Sequence, residues 1–423
     1  MKIVMTATNP VTNDPRIIKE AKALNEAGHK ITIVAWDRDC KNPSEITPEG
    51  IEIIRIPVKA SYGGMKDFIK NLPLFYKKAY KILKKMDFDA IHTHDFDTAF
   101  LGYILKKQGK KSKEKNKRIK WVYDIHDLYF TFLETEGKTT SLKKDILKKI
   151  IIKMDLAYVS YADNVITVSE NIGFKHDGLK EFYTNKGIDD DKFTIIWNSP
   201  DIKSFSSYEK ISLKKSDKFT IGFIGGLRTV DNFKKLFKMT LEYNYSDKFK
   251  FLIVGKGHKI DEIKKYAEKY GIDVEFTGQI DYNVIPNYYK ICDIIYACYP
   301  MRENIRRAMP LKVLESQYMG IPVVVNKNTL FEDYTLSNNM GVSIDIDNEK
   351  DYLKIFEYLI NDEFKNNNTS NNTNNTINTS NNTSNKFKNN VKNEISEKYV
   401  INYWDFQKNA LKNLYASFKT REQ

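Results

Sequence analysis

Met309-Pro310-Leu311-Lys312-Val313-Leu314-Glu315-Ser316-Gln317-Tyr318-Met319-Gly320-Ile321-Pro322-Val323-Val324-Val325 is the stretch that decides the fold. Pro310 suits the first turn of a helix, where no helical bond needs its missing N–H. Leu311, Leu314, Tyr318 and Met319 recur at helical spacing, Gly320 supplies the stop, and Ile321 to Val325 reads as a buried strand. A short helix delivered through glycine into an apolar strand is half of an α/β unit. Its free N-terminal amides offer an anion site, and Glu315, one turn further in, can hold a hydroxyl. A surface helix with a solvated Glu315 satisfies the same spacing.

The chain has 423 residues, which predicts two domains rather than one core. Hydrophobic residues make up 41% and aromatics 13%, ample for burial. No run approaches the apolar length of a membrane span, and Lys2-Ile3-Val4 already reads as a strand, so neither leader nor span is expected. Cys40, Cys292 and Cys298 fit no disulfide frame or zinc spacing, which points to a reducing, cytoplasmic setting. A net charge of +13 calls for an anionic partner, but no nucleic-acid-binding motif is present.

Working outward, the same strand–helix–glycine–strand grammar opens the chain. Lys2 to Met5 and Ile31 to Ala35 bracket a helix from Pro15 to Gly28, a parallel βαβ unit without a dinucleotide fingerprint. Arg16 falls at the mouth of the first strand, where open sheets bind ligands, or is a solvated first-turn residue. Residues 66–86 and 141–160 are basic amphipathic helices, which suit either an anionic membrane surface or a sheet face with solvated lysines. Asp89 to Asp95, containing His92 and His94, and Trp121 to Leu128, containing His126, are strands ending in polar loops. His126, at a strand's C-terminal end, is placed for a ligand rather than for the core. His92 and His94 could pair on a metal, but no carboxylate spacing completes a set, so no metal is expected.

Residues 201–217 are polar and read as a linker between a first domain, 1–200, and a second, 218–362. The second opens on Phe219 to Ile224, then Gly225-Gly226-Leu227-Arg228. Paired glycines let a phosphate approach the backbone, and Arg228 can grip a diphosphate bidentately. Gly255 and Gly278 close two further strands. Residues 363–394 are dominated by Asn, Thr and Ser and are expected to be a disordered insertion, followed by a last helix within 395–423.

Taken together, these phrases resemble retaining glycosyltransferases of family 4. The carriers are Asn13-Asp14-Pro15-Arg16, the His92-Thr93-His94-Asp95 loop, Ala162-Asp163-Asn164-Val165-Ile166-Thr167-Val168-Ser169, Val274 to Ile280, and Pro310 to Glu315. The resemblance implies an α/β, GT-B fold: two Rossmann-like domains facing across a cleft, with the C-terminal helix crossing back to the first. It implies a nucleotide-sugar donor in the second domain and a glycan or lipid-linked acceptor in the first, with no metal or other cofactor and peripheral contact with an anionic membrane.

Under this resemblance Glu315 binds the ribose, and Pro310, Leu311 and Lys312 face the diphosphate with Gly225, Gly226 and Arg228. Gly255, Gly278, Gln279 and Ile280 border the nucleotide, Arg16 contacts the donor, and His126 approaches the sugar. His126 and Arg228 are the catalytic candidates. One departure is visible: much of that family has a second Glu eight residues before the Glu315 position, and here Arg307 stands there. An inactive sugar-nucleotide-binding partner of another transferase, or a nucleotide-sugar 2-epimerase, would share the fold.

Overall fold

The computed structural model describes residues 1–423 except 13, 62–64, 113–115, 135–140, 202–204, 206, 228, 258, 371–403 and 421–423. Its chain contacts divide into two units: residues 1–170, 179–197 and 405–423, and residues 171–178 with 198–404.

The first unit is an eight-stranded sheet: β1 (Lys2–Ala7), β2 (Lys30–Asp37), β3 (Glu45–Ile46), β4 (Glu52–Pro57), β5 (Ala90–His94), β6 (Lys120–Ile125), β7 (Asn164–Thr167) and β8 (Phe193–Ile195), in the order β3-β4-β2-β1-β5-β6-β7-β8. All pairings are parallel except β3 on β4. Helices α1 (Pro15–Glu26), α2 (Met65–Lys85), α3 (Phe96–Lys107), α4 (Leu142–Tyr161) and α5 (Leu179–Thr184) connect them. Asp14 caps α1 by accepting from the Ile17 amide. Trp36 stacks on Phe75 at 5.0 Å, which fixes α2 against the sheet through its aromatic face.

The second unit is a six-stranded parallel sheet, β9 (Phe219–Ile224), β10 (Phe249–Val254), β11 (Val274–Gly278), β12 (Ile294–Ala297), β13 (Val323–Asn326) and β14 (Gly341–Ile344), in the order β11-β10-β9-β12-β13-β14. Its helices are α6 (Asp231–Glu242), α7 (Ile260–Tyr270), α8 (Ile285–Lys290), α9 (Glu303–Arg307), α10 (Leu311–Met319), α11 (Leu330–Ser337) and α12 (Leu353–Ser370). In both sheets the order reverses beside the first strand, which places a ligand crevice at the C-terminal strand ends.

Helix α13 (Trp404–Thr420) packs in the first unit, where Leu411, Tyr415 and Phe418 are buried. Two parallel-sheet units with a final helix returned to the first make a GT-B fold.

The expected linker behaves otherwise. Phe205 is 2% exposed and packs in the second unit, its ring 5.5 Å from Tyr282 and 6.2 Å from Tyr289. Burying that one aromatic outweighs the polar residues around it. The Asn-rich stretch begins as helix, since α12 continues to Ser370; extending a packed helix is cheaper than starting one. The rest of that stretch, to residue 394, lies outside the described residues. No helix among the described residues is long and apolar enough to cross a membrane.

Candidate active site

In the second unit the Gly turns lie side by side at the strand ends. Gly225 donates to Val254 O and Gly255 to Gly278 O, each at 2.9 Å, and Leu227 donates to Lys256 O at 3.0 Å. A Cβ at Gly255 would stand 2.2 Å from Gly225 O, and its φ is +134°, so only glycine allows this approach. Gln279 is exposed and Ile280 half-buried just beyond β11. Arg228 lies outside the described residues.

Helix α10 starts one residue later than its proline suggests. Pro310 is the N-cap with extended backbone (φ −64°, ψ 132°), and Leu311 is the first helical residue. Gly320 ends it in the left-handed conformation (φ 68°). Glu315 is 4% exposed rather than solvated. Its Oε1 accepts from Tyr282 Oη at 2.7 Å and its Oε2 from Tyr289 Oη at 2.6 Å. Two phenols thus fix the carboxylate's direction. Arg307 is neutralised locally, by Glu303 at 2.9 Å and Asp177 at 3.3 Å.

In the first unit, sequence-distant residues converge on Asp124. Strands β5 and β6 pair His94 with Asp124, and alternation puts His92, His94, Asp124 and His126 at these C-terminal ends. Arg16 is neither solvated nor open to a ligand. Its guanidinium holds Asp124 at 3.0 Å, Glu20 at 3.1 Å and the Ile196 carbonyl at 3.1 Å. A first-turn arginine with Glu20 one turn on reaches the buried strand end because α1 crosses it.

His126 is bracketed by carboxylates: Nδ1 lies 3.2 Å from Asp95 Oδ2 and Nε2 3.2 Å from Asp124 Oδ2. Burial opposes a charge on this ring, but Asp95 and Asp124 outweigh it, and the pKa rises well above 6.5. His126 is therefore an imidazolium with both nitrogens engaged, a fixed positive charge rather than a free base. Asp95 holds it from a strained backbone (φ 61°, ψ 167°), costing about 1–3 kcal/mol.

Burial, then Asp124's negative charge, pushes Glu20 up to about 8 against the pull of Arg16 and His126. Burial also pushes His92 down to about 4, and its Nδ1 meets Tyr415 Oη of α13 at 3.0 Å.

Glu20, His92, His94 and Asp124 together form the side-chain set that spacing alone did not reveal, with atoms close enough to ligate one cation. Arg16 already lies among these carboxylates. With Glu20 protonated, Arg16 and His126 balance Asp124 and Asp95. The set fits a charge-balanced network better than a metal centre.

Sequence reasoning missed Glu20, Asp95, Asp124, Tyr282 and Tyr289. The signals were present for three: an Arg–Glu pair four apart on α1, the Asp that closes the His92-Thr93-His94-Asp95 loop, and the Asp two residues before His126 on β6. Tyr282 and Tyr289 carry no such mark.

Comparison with known proteins fits this arrangement. The sequence model described as Glycosyltransferase Family 4 matches residues 16–203, and that described as Glycosyl transferases group 1 matches residues 204–376. The chain belongs to glycosyltransferase family 4. It is 27% identical over 256 residues to the Escherichia coli UDP-Gal:alpha-D-GlcNAc-diphosphoundecaprenol alpha-1,3-galactosyltransferase, a match covering 58% of this chain and 60% of that relative. The sucrose-phosphate synthase of Thermosynechococcus elongatus shares the fold over the whole of both chains (TM-score 0.71, 15% identity). Anabaena HepE, solved in complex with UDP and glucose, does so over 86% of this chain and 91% of its own (TM-score 0.59, 14% identity).

Proposed function

We propose that the protein is a retaining glycosyltransferase that moves a hexosyl group from a nucleotide sugar to a glycan or lipid-linked acceptor in cell-surface polysaccharide or glycoconjugate synthesis. The observation that carries this is Glu315, buried one turn inside a helix whose open amides begin at Leu311 and held by two tyrosines for a hydroxyl-bearing ligand. The Escherichia coli relative, named for a lipid-diphosphate-linked acceptor, supports the lipid-linked reading.

In this reading the ribose hydroxyls bond Glu315, and the departing diphosphate meets the amides of Leu311 and Lys312 beside the Gly225 turn. Arg228 adds a bidentate cation there by resemblance. The glycosidic C–O electrons leave with the nucleoside diphosphate, whose phosphate oxygen takes the acceptor hydroxyl proton as the new C–O bond forms on the same face. This front-face route needs no carboxylate nucleophile and no metal. By resemblance, His126 is the first unit's candidate for orienting donor hydroxyls, through its charge.

A lipid-linked acceptor also requires a surface to work at. On α4, Leu142, Ile146, Ile150 and Met154 recur four apart and are 77%, 51%, 49% and 41% exposed. Exposed Lys143, Lys149 and Lys153 lie beside them. An apolar stripe edged by lysine suits the inner face of an anionic bilayer.

The test is thermal stabilisation by nucleoside diphosphates and their sugars, wild type against Glu315→Ala. A shift with one nucleotide family, lost in the variant, supports the donor site. No shift with any nucleotide in the folded wild type refutes it.

A further inference from the structure

Lys312 is 8% exposed, and the surroundings of its ammonium are unusual for a cation. The Nζ lies 3.6 Å from the centre of the Phe223 ring and 5.2 Å from that of Tyr299. A Cβ on Gly225 would come 3.5 Å from it. Among the described residues Lys312 forms no hydrogen bond and no ion pair. A buried ammonium without an anion is costly, and a protein retains one where a ligand supplies the missing charge.

The lysines that follow the Gly225–Gly226 turn in sequence are committed elsewhere. Lys234 pairs with Glu262 at 2.8 Å, and Lys235 donates to the Ile346 carbonyl at 2.7 Å. Lys312 reaches the turn from the first turn of α10, the end of a helix whose amides favour an anion.

We infer that the Lys312 side chain supplies a cation to the donor diphosphate site, donating to a phosphate oxygen held at the Gly225–Gly226 turn. This rests on the donor reading above and assigns a charge-neutralising role to a side chain of α10.

Burial lowers the Lys312 pKa to about 7, and the charge of Glu315 and the thiol of Cys298 only partly restore it. The titratable groups facing it are Glu315 on its own helix and Cys298 and Tyr299 after β12; β9 and its turn present Phe223 and glycine. Above pH 7 the free enzyme therefore holds Lys312 increasingly neutral, while a bound phosphate returns it toward its ordinary value.

The experiment is calorimetric titration of UDP, ADP and uridine into wild type and Lys312→Met, in buffers of different ionisation heat at pH 7, 8 and 9. Wild type is expected to take up close to one proton per UDP at pH 8. Its affinity should fall toward tenfold per pH unit above pH 7, where the ligand's own phosphate is already ionised. Lys312→Met should take up none, bind UDP roughly 30-fold more weakly (about 2 kcal/mol at 1.4 kcal/mol per tenfold), and bind uridine unchanged.

Ligand-free Lys312→Met should also melt higher than wild type at pH 7, with the gap narrowing toward pH 10. A lysine deprotonated only in the folded state loses stability below its unfolded pKa. Equal UDP affinity and equal proton uptake in the two proteins would overturn the assignment while leaving the donor site standing. A parallel loss of uridine binding would make Lys312 merely structural and overturn it too. Wild type that binds neither UDP nor ADP removes the donor reading and this inference together.

Discussion

Glu20→Gln isolates the proton stored beneath the first unit's strand ends. Glu20 is wholly buried, and its carboxyl is raised from 4.5 to about 8, first by burial and then by Asp124. Arg16 at 3.1 Å would favour the ionised form, but it is shared with Asp124, which it holds at 3.0 Å. Between pH 4.5 and 8 the folded protein keeps this proton and the unfolded chain loses it. Wild-type stability from this group is thus full below pH 4.5 and declines as pH rises, levelling above pH 8.

The decline is at most about 1.4 kcal/mol per pH unit and sums to something on the order of 4 kcal/mol. Gln carries the neutral form's shape without the titration. The variant should match wild type near pH 4.5 to 5 and become progressively the more stable of the two toward pH 8. Urea unfolding read by tryptophan fluorescence suits the assay, because Trp36, Trp121 and Trp197 all belong to the first unit. Wild-type and variant stabilities that run parallel from pH 5 to 8 would mean that Glu20 is ionised and shares Arg16 as a true ion pair, with no proton stored there.

Further outcomes follow from the same geometry. Tyr289→Phe removes one of the two bonds to the Glu315 carboxylate and should weaken nucleotide binding by about 10-fold, since bonds to charged groups contribute about 1.5–3 kcal/mol, with kcat changed less than KM. Gly255→Ala places a methyl 2.2 Å from Gly225 O at a positive φ and should abolish UDP-induced thermal stabilisation more completely than it lowers the melting temperature. Ile146→Gln with Ile150→Gln should release the protein from vesicles containing phosphatidylglycerol in flotation, and pure phosphatidylcholine should recruit neither protein; equal flotation of variant and wild type would remove α4 from the membrane contact.

The order of strands and helices was legible because each unit repeats one short grammar: apolar strand, polar turn, amphipathic helix, glycine. Pro310 to Gly320 showed it most plainly, and the structure moves that helix's start by a single residue. What stayed hidden depends on contacts between distant segments. Arg16 read as a mouth or surface residue, because nothing near it in sequence reveals Asp124 at 3.0 Å. Phe205 looked like one aromatic in a polar linker until Tyr282 and Tyr289 closed around it. His126 was legible as a strand-end residue, but its charge was not, since that is set by Asp95 and Asp124 converging from two strands.

Glycosyl transfer with retention leaves its mark on the product, whose linkage can be analysed directly. Purified protein would be incubated with single nucleotide sugars and lipid-linked glycan acceptors, and the anomeric configuration of any new linkage read by NMR. Transfer from one donor is expected, with the product linkage in the donor's own anomeric configuration and loss of transfer in Glu315→Ala. An inverted linkage would contradict the front-face route. Tight nucleotide-sugar binding with no transfer to any acceptor, or release of an epimerised nucleotide sugar, would contradict the transferase itself.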